Sequence, residues 1–213
     1  MPTKQHDSKR KILDAALRVI RAKGYEAATV EDICSSAGLT KGSFFHHFKG
    51  KEDLALAAAE HFSSYADELF RHAPYRDASD PLERVLGYVD FRRQILRGSL
   101  PEFTCLLGTM VQETYETHPA IRAACDRHIS AHASFVAEDL EAARHRYVPD
   151  ATWSAEGLGL FTQAVLQGAF VLAKAKGGPA VAEESLVHLR RYLELLFRQP
   201  MTTEGAPEHV DAE

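Results

Sequence analysis

The chain has 213 residues, 45% of them hydrophobic, enough to bury a sizeable core as one helical domain or as a small domain joined to a larger one. Its three cysteines (Cys34, Cys105 and Cys125) form neither a C-x-x-C pair nor a disulfide framework, and no basic-then-apolar leader opens the chain, so a reducing cytoplasm is expected. The formal charge of −5 is unevenly placed: residues 1–51 hold ten Lys and Arg against five Asp and Glu, leaving fifteen against twenty-five for the rest, which points to a polyanionic partner for the head alone.

In chain order, residues 1–7 read as a polar arm. Ile12, Leu13, Ala16, Leu17 and Ile20 set a helix over 8–23, stopped by Gly24. Thr29 with Asp32 three residues on forms a capping-box pattern for a short helix ending near Ala37. Thr40 caps a third helix through Phe48. Lys51-Glu52-Asp53-Leu54 opens a fourth, running to about Arg71. Asp80-Pro81 starts a helix over 82–97, and further helices are expected near 102–116, from Pro119 to about Arg146, over 151–175 and from Val181 to Arg198. Residues 199–213 are polar and acidic and read as a disordered tail. The fold class is therefore all-α, with about nine helices.

Residues 157–173 carry no charge, which approaches the length of a membrane span. Thr162, Gln163 and Gln167 in the middle favour a buried or interfacial helix instead, so no membrane is expected as a partner. Small residues on it (Gly157, Gly159, Ala164, Gly168) and a stripe of Leu186, Leu189, Leu193 and Leu196 on the last helix are expected to form a four-helix homodimer interface.

The informative segment is 29–51, TVEDICSSAGLTKGSFFHHFKGK. Two short helices meet at Ala37-Gly38-Leu39. Val30, Ile33, Leu39, Phe44 and Phe48 can pack inward, leaving Lys41, Ser43, Phe45, His46 and His47 outside. A short helix with small, basic and aromatic residues suits a major groove. Thr29, Thr40 and Lys51 stand at helix starts, where amides, hydroxyls and an ammonium can hold phosphate oxygens.

On Ile12-x-x-Ala15-Ala16, Gly24-Tyr25, Thr29-Val30, Ile33, Ala37-Gly38, Lys41 through Phe48 and Lys51 through Leu54, residues 8–60 resemble the TetR family of transcription regulators. The resemblance implies an Ω-shaped homodimer. Residues 1–52 would be a three-helix helix-turn-helix domain and 53–198 a ligand-binding and dimerisation domain. It implies repression of a palindromic double-stranded DNA operator, relieved by a small-molecule effector. Carried over by position, Thr29, Thr40, Phe45, His46 and Lys51 fall at backbone contacts and Lys41, Gly42 and Ser43 at base contacts. Phe45 replaces a tyrosine common at its position and cannot donate that hydroxyl's hydrogen bond, worth roughly 1 kcal/mol.

Beyond residue 60, Tyr88, Phe91, Phe103, Cys105, Met110, Trp153, Phe161, Gln163 and Gln167 are candidates to line an effector cavity. Cys105 carries an alternative reading, an electrophile or oxidant sensor, that requires a nearby cation. Cys125, His128 and His132 share one helix face, which reads as solvated or interfacial in preference to a metal site. No G-x-S-x-G, H-E-x-x-H or phosphate-binding glycine loop is present, so no enzyme, metal or cofactor is expected.

Overall fold

A computed structural model describes residues 4–198; the acidic tail expected at 199–213 and the first three residues of the polar arm lie outside the described residues. Among those described there are ten α-helices and no strand. The head comprises α1 (Lys4–Lys23), α2 (Val30–Ala37) and α3 (Lys41–His47). The connecting helix α4 spans Lys51–Arg71. The body contains α5 (Pro81–Gln94), α6 (Leu100–Phe103), α7 (Leu106–Thr114), α8 (Pro119–Tyr147), α9 (Ala155–Lys176) and α10 (Ala180–Leu196).

Most boundaries follow local chemistry. The Asp80 carboxylate accepts from the amides of Leu82 and Glu83 to start α5, and the Ser154 hydroxyl accepts from Gly157 to start α9. Three elements depart from the sequence reading. Helix α1 begins at Lys4, so part of the expected arm is helical; Asp7 in its first turn pairs with Lys11 one turn on, at 2.8 Å. A 3₁₀ turn, Pro74–Asp77, precedes α5 and seats Tyr75 against Gly87, where an added Cβ would come within 2.6 Å of Tyr75 Cβ.

The third departure is a break. The single helix expected over 102–116 is two, because Thr104 is extended (ψ 159°). Ser99 and Glu102 form a capping box that starts α6. The Cys105 sulfur accepts from the Gly108 amide at 3.5 Å and starts α7 afresh. The break frees the carbonyls of Glu102 and Thr104, and Arg21 of α1 donates to both, at 3.3 and 3.1 Å.

Two hydrophobic cores result. The first joins α1–α3 and the start of α4 (Leu54, Ala55, Ala58, Ala59) to Leu106, Leu107 and Met110 of α7 and Ile121, Ala124 and Cys125 of α8. The second gathers Phe70 at the end of α4 with α5, the rest of α8, α9 and α10. Helix α4 thus contributes to both, and so does α8, at 29 residues the longest helix.

The dimer expectation needs correction on α10. Leu186, Leu189 and Leu193 are buried within their own chain and Leu196 packs against the same core, so that stripe faces inward. Gly159 likewise serves an internal contact: an added Cβ there would stand 2.6 Å from the Ala133 carbonyl of α8. The outward face of α9 carries Leu160, Phe161, Val171 and Leu172, beside Tyr192 and Leu195 of α10, all more than 40% exposed. Gly157, Ala164 and Gly168 lie exposed along the same helix. By length and composition α9 could cross a membrane, but its inner side is packed in the second core.

Candidate nucleic-acid interface and internal cavity

The segment 29–51 folds as a helix-turn-helix. The Thr29 hydroxyl accepts from the Asp32 amide while Asp32 accepts from the Thr29 amide, closing the capping box. Asp32 also takes the Lys23 ammonium at 2.7 Å, and that hydrogen bond foremost, with those from Thr29, holds its carboxyl down at about 2. Gly38 sits at φ 66°, and the Gly38 and Leu39 amides turn back to Ser35 and Cys34, the glycine-terminated stop that fixes the angle between α2 and α3. Phe44 is fully buried and Phe48 nearly so, pinning α3 on the head.

The outward side of α3 presents Thr40, Lys41, Gly42, Phe45 and His46, with Ser43 half-buried. Phe45 is 59% exposed. Lys41 reaches Glu31 at 2.9 Å, a surface pair that a stronger anion can displace. His47 is turned back: its Nε2 lies 2.7 Å from the Ser8 hydroxyl on α1, and burial, with His46 and Lys9 nearby, lowers its pKa below the usual histidine range. Lys51 is also engaged. Its ammonium donates to the Tyr25 and Glu26 carbonyls at 3.1 and 3.2 Å and covers the Tyr25 ring at 4.4 Å, tying the α1–α2 turn to the start of α4.

A cavity of about 410 Å³ lies between the two cores. Four predicted residues line it: Phe103, Cys105, Gln163 and Gln167. The other five lie elsewhere. Met110 is fully buried in the first core. Tyr88 stands behind the wall, its hydroxyl taking the Gln163 amide at 3.3 Å. Phe91 packs edge-on against Phe70. Trp153 meets Phe197, and Phe161 is on the outer face beside Tyr192. All five were expected to line the cavity; the sequence does not show which of two cores a residue joins, and Phe161 lies on the outer side of α9.

The polar lining was missed. Arg21, Arg92, His128 and His132 all face this cavity, so the face holding both histidines is neither solvated nor interfacial as expected. Cys125 of that trio is fully buried, its thiol pushed up to about 12 by burial, and no metal-binding group of three or more ligands occurs among the described residues. Burial first, and Arg92 second, depress the His132 pKa to about 3. Arg92 is spaced i, i+4 from Tyr88, a signal that could have placed it on the same wall.

Comparison with known proteins agrees with this layout. Residues 12–58 match the family described as bacterial regulatory proteins, tetR family, and residues 81–181 match the LmrA/YxaF-like transcriptional regulator C-terminal domain. The Bacillus subtilis regulator YxaF is 33% identical over 88 residues, 41% of this chain and 46% of its own length. Bacillus subtilis LmrA is 28% identical over 142 residues, 63% and 71% of the two chains. The match spans less than half the length of YerO, YxaF and AcuR, namely 28%, 46% and 47%. A regulatory protein TetR from Rhodobacter sphaeroides superposes with a TM-score of 0.77 at 25% identity, covering 89% of this chain and 98% of that one. The helix-turn-helix, the all-helical body behind it and these matches together make the chain a member of the TetR family of transcription regulators.

Proposed function

We propose that the protein is a cytoplasmic, homodimeric transcription repressor, not an enzyme, that binds a near-palindromic operator through α3 and is released by a small molecule bound in the internal cavity. The observation that carries this reading is the outward face of α3, with Lys41 and Phe45 exposed on a helix whose inner side is locked by Phe44 and Phe48. Thr29 and Thr40, exposed at neighbouring helix starts, would meet the DNA backbone. The exposed apolar stripe of α9 and α10 is the expected contact with a second copy, which duplicates α3 for two half-sites.

The cavity supplies the regulatory link. Its walls include Arg21 of α1 together with α4, α6 and α7, so an occupant touches the elements that carry the head. Arg21 bridges α1 to the broken segment at Thr104, and the Glu113 carboxylate of α7 accepts from the Glu26 amide at 2.8 Å. A ligand that favours another setting of these contacts weakens DNA binding by its differential affinity for the two conformations.

Selection from random duplexes followed by anisotropy titration tests the reading. The full chain is expected to select one duplex sequence. Lys41→Ala should abolish the preference and flatten the salt dependence by about one ionic contact. Absence of any preferred duplex contradicts it.

A further inference from the structure

The cavity holds a cation that the protein itself leaves unneutralised. The half-buried arginines elsewhere in the body face carboxylates: Arg76 and Arg84 both meet Asp139, Arg144 meets Glu141, and Arg190 meets Asp90 and Glu194. Arg92 has no carboxylate within ion-pair distance among the described residues. Its Nε donates to the Tyr88 hydroxyl at 3.0 Å and its Nη2 lies 2.8 Å from His132 Nε2. The guanidinium stacks on Phe70, 4.1 Å from the ring centre. Tyr88 Oη also accepts from Gln163 and stands 3.1 Å from His132 Nε2, so the guanidinium is held by neutral acceptors only. Its Nη1 has no acceptor among the described residues.

A histidine of α8 lines the same cavity. His128, whose side chain is only 10% exposed, has a buried Nε2 with no hydrogen-bond partner. Glu60 Oε2 stands 3.3 Å away, at ion-pair distance, so this histidine edge already faces a carboxylate and the anion-binding role falls to Arg92. The acids at the cavity rim are not available inside: Asp67 is exposed, and Glu102 is held by the Ser99 amide and hydroxyl. The remaining lining is largely apolar, with Phe62, Leu69, Ile95, Phe103, Leu166 and Phe170.

We propose that this cavity takes an amphipathic monocarboxylate, its carboxylate on the open edge of Arg92 and its apolar body against the phenylalanine and leucine walls. A half-buried guanidinium without a counter-ion is costly, and a carboxylate relieves that cost with charge-assisted hydrogen bonds. One open guanidinium edge matches a single negative charge. The proposal rests on the regulator reading only for the cavity's role in DNA release; the anion preference stands on the cavity alone.

The test uses the full chain and three probes of equal length: decanoate, decanamide and decan-1-ol, titrated by calorimetry at pH 7.5. Decanoate is expected to bind at least about ten-fold tighter than either neutral probe. Arg92→Met should bring decanoate to the level of decanamide, and Arg92→Lys should keep part of the preference. Equal affinities for the three head groups, no binding of any, or a preference that survives Arg92→Met would overturn the proposal. The head-group comparison on the unsubstituted chain needs no variant to fold. Anisotropy on operator DNA in the same samples separates the two claims: decanoate that binds with preference but leaves DNA bound upholds the anion site and contradicts ligand release.

Discussion

Phe45 stands on the outer side of α3 with most of its ring in solvent, an unfavourable place for an apolar group in the free protein. Its position suits a contact with a sugar, and the hydroxyl of the tyrosine common there would reach a phosphate. Phe45→Tyr should therefore tighten operator binding by about 1 kcal/mol, roughly five-fold, in an anisotropy titration; unchanged or weaker binding would remove Phe45 from the interface. His132 offers a test inside the body. Its pKa is depressed to about 3, against about 6.5 when unfolded, so below pH 6.5 the unfolded chain binds the extra proton and stability falls with pH. Between pH 6.5 and 5 this contributes a loss of about 2 kcal/mol, read as a drop in urea midpoint, and His132→Gln should be less acid-sensitive by that amount. Residues whose partners lie within a few positions, such as Thr29 with Asp32 or Gly38 at the turn, were legible in the sequence. Arg92 and His132, 40 positions apart, were not, because only the packing of α5 on α8 brings them together.

At the scale of elements, caps and breakers placed α2, α3, α4 and α8 closely, since each start is marked by a side-chain cap, a glycine break or a proline. The split of α6 from α7 escaped notice. Thr104 carries no breaker signal in isolation, and the extended backbone there is supported by Arg21, 83 residues away. Helix α10 shows the opposite limit: a 3-4-3 leucine stripe reads equally as a partner contact or a core contact, and the structure assigns it to the core. The apolar face left exposed, and proposed above to meet a second copy, is the outward side of α9 with Tyr192 and Leu195. Leu160→Glu combined with Leu172→Glu should yield a folded monomer in sedimentation velocity and weaken operator binding by at least about ten-fold, since each half-site then binds alone. A dimer that persists in this variant would place the interface elsewhere.

For the molecule as a whole, the two cores meet at the cavity, and the same α1 that packs under α2 and α3 places Arg21 in its wall. A head held only by a flexible linker could not sense an occupant in the body. Here the body reaches the head through α4, through Arg21 on the Thr104 carbonyl and through Glu113 on the Glu26 amide. In the proposed complex, two copies of α3 are presented together to one duplex. Hydroxyl-radical footprinting of the selected operator tests this most directly. Two protected patches related by two-fold symmetry are expected, with half-site centres about 34–36 Å apart on one face of the duplex. A single asymmetric patch, or uniform protection without register, would contradict it.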